Sequence, residues 1–378
     1  MGESEIRFID IGDFTLSNGK KLPNVVVAYQ THGELNREKS NAVLVFHALS
    51  GSSHIAGKNR SFAKQNRLWK GDCCTGWWDS FVGRNKIVDT KKHFVICQNI
   101  LGGCYGTTGP ASINQKTGKP FGSAFPDLEI EDMARLQKAV LEKLGIERLG
   151  CVIGSSNGGC MAIEFALLFG DIADKVVIIG SAAKTSSLNK LHGFEQLISI
   201  ENDPNYNRGD YYDNRHPEKG LMLARMIAEK TYIDIETITS RAKKETILPS
   251  DYFYDYRFIH NIESYMFHRA KKFVERFDAN TYLKIMKASQ SFDLAKKYGN
   301  GSLTKAFTRL KRNNSKYLVA AISSDVCYYP EEQEEIVRAL KNNQLDCRYE
   351  KVDSSKGHDS FLIEPAKYLF LKQFLENG

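Results

Sequence analysis

The chain has 378 residues, of which 42% are hydrophobic and 26% are charged, and its formal net charge is +7. This length and composition allow a large buried core and exclude a disordered chain. The longest apolar runs, such as "VVIIG" at 176–180, are far shorter than the roughly 20 residues that span a bilayer. Because lysines and arginines are interspersed with acids, we interpret the charge as a basic surface, and expect neither a nucleic-acid nor a membrane partner.

The amino-terminal region predicts a β-hairpin. Residues 14–33 alternate with a period of two around Asn18-Gly19, a dipeptide typical of tight hairpin turns. The opening "MGESEIRFID" lacks a basic head followed by an apolar stretch, so we expect a cytoplasmic protein. The eight cysteines form no C-x-x-C pair and no metal-ligand spacing. We therefore expect reduced thiols, no metal and no bound cofactor.

Short apolar runs and helix patterns alternate through most of the chain. The predicted strands are 42–47, 94–98, 149–153, 176–179, 317–322 and 347–352, and the predicted helices between them are 128–144, 160–169 and 331–341. Continuous apolar strands separated by helices indicate a mostly parallel sheet flanked by helices. The alternation stops at 186–302, where several segments have a helical pattern. We predict a catalytic domain at 1–185 and 303–378 with an inserted helical lid at 186–302.

A serine between glycines lies where one predicted strand ends. "GSSNG" at 154–158 fits G-x-S-x-G, the nucleophile elbow, in which a strained turn from strand to helix presents the serine. Glycines flank the serine because a β-carbon there would collide with neighbouring backbone. We predict that Ser156 is a nucleophile, pushed out toward solvent at the amino terminus of the next helix. The pentapeptide alone is a weak signal, because a phosphate-binding turn would look similar.

Partners for this serine follow in the chain order Ser, Asp, His that the elbow architecture uses. Asp325 comes directly after the predicted strand 317–322, and His358 lies in "SSKGHDSFL" after the last predicted strand. A serine hydroxyl needs an imidazole to take its proton and a carboxylate to hold that imidazole. We therefore predict a triad of Ser156, Asp325 and His358.

An oxyanion hole is predicted beside the triad. "FHALSG" at 46–51 follows an apolar strand, as expected of the loop that lends one backbone N–H, and the second N–H would come from the residue after the nucleophile. The candidates are Leu49 and Asn157. His47 and His54 receive no catalytic role.

Several longer stretches resemble the homoserine O-acetyltransferase family of the α/β-hydrolase fold. They include "HALSGSSHIAG", "QNILGGCYGTTGPASINQKTGKPFGSAFP", "GLMLARMIAEKTY" and "GHDSFL", and the resemblance covers nearly the whole chain. It implies a ping-pong transfer of an acetyl group from acetyl-CoA, the co-substrate, to L-homoserine through a Ser156 acyl-enzyme, in methionine biosynthesis. It also implies that Arg225, Tyr232 and Asp359 bind the amino acid, and that the chain forms a homodimer.

The elbow departs from the usual family pattern, which has glycine and methionine where this chain has Ser155 and Asn157. Acyl-donor and acceptor choice therefore stay open, with succinyl-CoA or L-serine as alternatives within the same mechanism. A carboxylic-ester hydrolase would need only the same triad. A non-catalytic scaffold of this fold is disfavoured, because it would have no need to retain all three triad residues.

Overall fold

The computed structural model describes residues 4–244, 252–253, 256–312 and 314–377. Within these residues the strands are β1 Arg7–Thr15, β2 Lys21–His32, β3 Ala42–Phe46, β4 Val82–Gly83, β5 Val88–Asp89, β6 Phe94–Gln98, β7 Ile113–Asn114, β8 Lys119–Pro120, β9 Cys151–Ser155, β10 Lys175–Ile179, β11 Tyr252–Phe253, β12 Tyr256–Arg257, β13 Lys316–Ile322 and β14 Cys347–Val352.

The helices in the same residues are α1 Ile130–Lys143, α2 Asn157–Leu168, α3 Ser187–Glu201, α4 Glu218–Tyr232, α5 Ile235–Ala242, α6 Asn261–Val274, α7 Ala279–Gln290, α8 Leu294–Gly299, α9 Leu303–Ala306, α10 Pro330–Asn342, α11 Ser360–Ile363 and α12 Leu369–Glu376. None of them is both long enough and apolar enough to cross a membrane.

One sheet of eight strands organises the molecule, in the order β1-β2-β6-β3-β9-β10-β13-β14. The pairs β1/β2 and β2/β6 are antiparallel, and every other neighbouring pair is parallel. Apolar side chains fill both faces: α1, α2 and α10 pack on one, and the carboxyl-terminal helix α12 packs on the other. The predicted mostly parallel α/β sheet flanked by helices is confirmed.

The predicted hairpin corresponds to β1 and β2, whose turn is closed by hydrogen bonds from Leu16 N–H to Lys20 O and from Gly19 N–H to Leu16 O. The two elements around the serine were predicted with wrong boundaries. The strand predicted at 149–153 runs from Cys151 to Ser155, and the helix predicted from Cys160 begins at Asn157. Residues 157–159 are an asparagine and two glycines and show no hydrophobic periodicity, so the sequence pattern did not include them in the helix. They are helical because only Ser156 separates the end of the strand from the start of the helix.

The segment predicted as the lid contains α3 to α8, together with the two-residue strands β11 and β12. Its residues 245–251 and 254–255 lie outside the described residues. An aromatic cluster joins it to the loops above the sheet, with Trp69 and Tyr105 from the sheet side and Phe273 and Tyr282 from the inserted helices. This cluster places the inserted helices over the carboxyl ends of the parallel strands.

Candidate active site

Ser156 occupies the sharp turn between β9 and α2. Its φ is 55° and its ψ is −131°, a conformation that a residue other than glycine rarely adopts. A β-carbon on Gly154 would lie 2.1 Å from the carbonyl oxygen of Gly158, and one on Gly158 would lie 2.3 Å from that of Phe46. Neither backbone could remain in place, so both glycines are needed to bring strand, turn and helix this close together.

The structure brings the three predicted triad side chains together from distant parts of the chain. His358 Nε2 lies 2.8 Å from Ser156 Oγ, and His358 Nδ1 lies 2.7 Å from Asp325 Oδ2. Asp325 follows β13, and His358 lies in the 3₁₀ turn Gly357–Asp359 after β14. The carboxyl ends of parallel strands meet at one edge of the sheet, which explains the convergence.

The aspartate is held rigidly for its contact with the imidazole. Asp325 Oδ1 accepts hydrogen bonds from the backbone N–H groups of Cys327 (2.8 Å) and Tyr328 (2.9 Å), so Oδ2 is left for His358. Burial disfavours the imidazolium, but the charge of Asp325 and its hydrogen bond outweigh burial and raise the pKa of His358 above its usual 6.5. The imidazole can therefore take a proton from the serine hydroxyl and hold it.

Ser156 does not point into open solvent, and that part of the prediction was wrong. Its relative exposure is only 8%, and side chains of α3, α4 and α7 surround the space in front of it. It opens into a pocket of about 70 Å³ that it shares with Leu49, Asn157, Tyr232 and Met286. The serine is thus presented to a narrow, covered space.

Leu49 and Asn157 border the serine with backbone N–H groups that are available to a ligand. Among the described residues, neither N–H has a protein acceptor, although both residues line the pocket. Asn157 is the first residue of α2, where backbone N–H groups lack partners within the helix. Two unpaired donors beside a nucleophile can stabilise an oxyanion.

The side chain of Asn157 is also buried against the inserted helices. Its Oδ1 lies 3.0 Å from Ser289 Oγ on α7, and its Nδ2 has no protein partner within the described chain. Ser289 Oγ also lies 3.0 Å from the carbonyl oxygen of Ile285, and one hydroxyl proton can serve only one of these acceptors. Either way, this buried amide keeps at least one polar atom without a partner among the described residues.

Arg225 lies on α4 and is almost fully buried. Its guanidinium donates to Glu229 and stacks over the rings of Tyr232 (5.1 Å) and Phe273 (4.8 Å). Glu229 also accepts from Arg269 Nε at 3.2 Å. Burial alone would raise the pKa of Glu229, but the two arginines outweigh it and lower the pKa. Arg225 Nε has no partner among the described residues.

Tyr232 and Asp359 connect Arg225 to the triad. The Tyr232 ring lies 6.1 Å from the His358 ring and lines the serine pocket, whereas Arg225 and Asp359 are not in its lining. Asp359 is partly buried and has no hydrogen-bond or ion-pair partner in the described part of the chain. Burial raises its pKa to about 6, against the lowering effect of His358 and Arg225. An acid without a protein partner among the described residues thus lies next to the histidine.

Sequence reasoning missed Glu229, which neutralises Arg225. The four-residue spacing of Arg225 and Glu229 on a helical pattern was an available signal, because such residues face each other on a helix. It also missed Ser289, for which no local signal exists, because its contact with Asn157 spans 132 positions. Within the described residues, no group of three or more histidines, cysteines or acids is arranged to hold a metal ion.

Comparisons with known proteins place this site in a family. The family model of the alpha/beta hydrolase fold matches residues 41–365. The homoserine O-acetyltransferase of Methanosalsum zhilinae is 39% identical over 366 residues, which cover 97% of this chain and 71% of that protein. The chain belongs to the homoserine O-acetyltransferase family. The predicted family and the α/β-hydrolase fold are thereby confirmed.

Two solved structures that are similar to this chain carry different names. The homoserine O-acetyltransferase from Bacillus anthracis has a TM-score of 0.87 at 26% identity and covers 100% of this chain and 99% of that one. Esterase E22 has a TM-score of 0.86 at 29% identity and covers 98% of this chain and 100% of that one. The homoserine O-acetyltransferase fold is therefore shared with an enzyme named for ester hydrolysis.

Proposed function

We propose that the protein transfers an acetyl group from acetyl-CoA to the hydroxyl of L-homoserine, as an enzyme of methionine biosynthesis. One observation carries this proposal: a serine, a histidine and an aspartate in hydrogen-bond contact beside two unpaired N–H groups, in a chain 39% identical to a named homoserine O-acetyltransferase. The arrangement supports acyl transfer through a serine ester.

In the first half-reaction, Ser156 Oγ attacks the thioester carbonyl while His358 Nε2 takes the hydroxyl proton. The oxyanion that forms accepts hydrogen bonds from the N–H groups of Leu49 and Asn157. Asp325 holds the imidazole in the required tautomer and stabilises the imidazolium. When the C–S bond breaks, His358 returns its proton to the CoA thiolate, and an acetyl ester remains on Ser156.

In the second half-reaction, the hydroxyl of homoserine gives its proton to His358 and attacks the acetyl ester. Collapse of the new oxyanion breaks the ester bond, and Ser156 Oγ recovers the proton. We assign the α-carboxylate of homoserine to Arg225 and Tyr232, and the α-ammonium to Asp359. The planar guanidinium suits a carboxylate, and an ionised acid suits an ammonium group.

Water would compete with homoserine for the acyl-enzyme, so a transferase needs a covered site. We assign this role to the lid at 186–302, inserted in a catalytic domain formed by 1–185 and 303–378. The low exposure of Ser156, 8%, supports it. The mechanism uses acetyl-CoA as a co-substrate and calls for no metal or prosthetic group.

The donor and the acceptor have close alternatives. Succinyl-CoA could replace acetyl-CoA, and L-serine could replace homoserine, within the same steps. The polar side chain of Asn157 keeps the donor question open, because this residue borders the pocket at the position where the family pattern usually has methionine. A steady-state assay that crosses both donors with both acceptors separates the four combinations.

A carboxylic-ester hydrolase is the second candidate function. It is favoured by the likeness to esterase E22 and requires only the same three side chains. It predicts rapid turnover of p-nitrophenyl acetate that no amino-acid acceptor accelerates. A transferase predicts that homoserine accelerates loss of the acyl group from the enzyme.

We also propose that the protein is a cytoplasmic homodimer that pairs through the lid. Free thiols suit a reducing compartment. An apolar groove of about 1020 Å³ lies among α3, α4 and α6, and Phe194 and Leu223 beside it are 58% and 47% exposed. Such a surface is typical of an interface. Light scattering should report a dimer for the wild type and a monomer for Phe194→Asp.

The decisive assay is the release of free CoA from acetyl-CoA in the presence of homoserine. The proposal expects parallel lines in double-reciprocal plots, as a ping-pong mechanism requires, and no activity in Ser156→Ala. Absence of CoA release above that control, with either donor and either acceptor, would remove the proposal.

A further inference from the structure

The peptide group between Ala48 and Leu49 is held in place by contacts to its carbonyl oxygen. Its carbonyl oxygen lies 2.8 Å from His47 Nδ1 and accepts a hydrogen bond from Gly51 N–H at 2.9 Å. In a planar trans peptide, the C=O and the following N–H point in opposite directions. Whatever holds the Ala48 carbonyl therefore also aims the N–H of Leu49, which borders the pocket with Ser156 and has no acceptor among the described residues.

The tautomer of His47 follows from its two neighbours. A carbonyl oxygen can only accept, so Nδ1 must carry the proton that bonds Ala48. The backbone N–H of Ile100 donates to Nε2 at 3.2 Å, so Nε2 must be unprotonated. The ring is 1% exposed, and burial lowers its pKa to about 4, against the raising effect of the Ala48 bond. His47 is thus a neutral imidazole with one fixed tautomer.

We propose that His47 is a positioning residue of the oxyanion hole: it donates Nδ1–H to the Ala48 carbonyl and thereby directs the Leu49 N–H at the acyl oxygen. It touches no substrate. Ile100 sets the ring's tautomer and orientation, which gives the "NILGG" block a role in the active site. The proposal rests on the proposed acylation of Ser156 but not on the identity of the acyl donor or the acceptor.

Gly51 packs so closely against His47 that a larger residue at position 51 would displace the imidazole or the loop. A β-carbon on Gly51 would lie 2.8 Å from His47 Cβ and 3.0 Å from Nδ1. A glycine there lets the loop fold back over the imidazole, so that its own N–H reaches the same carbonyl. Both donors to Ala48 O therefore depend on this close approach.

Two substitutions separate positioning from mere structural support. In His47→Asn, the side-chain amide N–H occupies roughly the place of Nδ1–H and can still donate to Ala48, but the buried Ile100 N–H loses its acceptor. In His47→Gln, the longer side chain can still accept a hydrogen bond from the Ile100 N–H, but it has no donor at the position of Nδ1 and loses the bond to the Ala48 carbonyl. Stability should therefore fall more in His47→Asn, because a buried unpaired N–H is costly.

Activity should follow the opposite order. We expect kcat to fall by about a hundredfold in His47→Gln, as for loss of one oxyanion-hole donor, and by no more than about fivefold in His47→Asn. KM for the acyl donor should stay unchanged in both. Binding of a trifluoromethyl ketone, which forms an oxyanion adduct on Ser156, should weaken in parallel with kcat. Activity that follows stability, or wild-type kcat in His47→Gln, would overturn the proposal.

If neither variant folds, Gly51→Ala supplies the test, because its methyl group presses on the imidazole from the loop side. It should lower kcat at unchanged KM, and full activity in the folded variant would contradict the proposal. All variants are assayed with acetyl-CoA and with p-nitrophenyl acetate. If p-nitrophenyl acetate acylates the wild-type enzyme but acetyl-CoA does not, the proposed transferase function is refuted. The assay with the ester would still test the role of His47.

Discussion

Replacing Asp359 by asparagine should make the protein more stable and less able to use its acceptor. The carboxyl group has its pKa raised from 3.8 to about 6, mainly by burial. A shift of about two units corresponds to about 3 kcal/mol, the cost of keeping this group ionised in the folded protein. Asparagine has the same shape and no charge, so Asp359→Asn removes that cost.

The pH dependence of this effect has a definite sign. Because the pKa in the folded state is raised, the folded protein holds the proton between about pH 4 and pH 6, where the unfolded chain has lost it. The cost is absent below about pH 4, grows through this window and is complete above about pH 6. The stability gained by Asp359→Asn should therefore be largest near neutral pH and shrink as the pH falls to 5 and below.

Urea unfolding followed by tryptophan fluorescence at several pH values measures the gain, with the exposed Asp353→Asn as the control for loss of one surface charge. Stopped-flow CoA release measures the functional cost. Formation of the acetyl-enzyme should be retained, whereas KM for homoserine should rise by about 10- to 100-fold, because a charge-assisted bond to the α-ammonium is lost. Equal or lower stability at neutral pH, together with an unchanged KM for homoserine, would refute this reasoning.

Three further outcomes test other parts of the site. Asp325→Asn should lower kcat by about 10⁴-fold with little change in KM, measured at steady state, because the imidazole loses the partner that sets its tautomer. Arg225→Lys should raise KM for homoserine at least about tenfold and leave KM for acetyl-CoA unchanged, because an ammonium cannot reproduce the planar fork; an unchanged KM for homoserine would remove Arg225 from the acceptor site. The rate of acylation in rapid-quench experiments should fall as the pH is lowered through the pKa of His358, which lies above 6.5, because only the neutral imidazole accepts the serine proton; a flat profile through that range would contradict its role.

The sequence predicted the sheet well because buried parallel strands are short, continuous apolar runs. The predicted strand at 94–98 is such a run and matches β6 to the residue. The predicted strand at 347–352 also matches β14 to the residue, although this edge strand is only partly buried and carries charged residues. The start of α2 could not be predicted by the same rule, because Asn157 and the two glycines after it carry no hydrophobic pattern. Their helical conformation follows from the strained turn at Ser156 and from close packing against Phe46.

The reactive side chains were predictable because each lies in the turn or loop that follows a strand, in a fixed chain order. What orients them was not, since it depends on contacts between distant segments. His47 was given no catalytic role because nothing in "FHALSG" indicates that its ring bonds the next carbonyl and also Ile100, 53 positions away. A cover by helices of 186–302 was predicted, but the degree to which Ser156 is buried depends on contacts with helices that begin more than 30 positions later in the chain.

The central claim is that Ser156 carries the acyl group between donor and acceptor. Mass spectrometry of the protein mixed with acetyl-CoA alone, followed by peptide mapping, tests it directly. We expect one acetyl group on the peptide that contains Ser156, none in Ser156→Ala, and its rapid disappearance with formation of O-acetylhomoserine when homoserine is added. An unmodified Ser156 in a preparation that still produces O-acetylhomoserine, or an acetyl group that homoserine does not remove, would contradict the account.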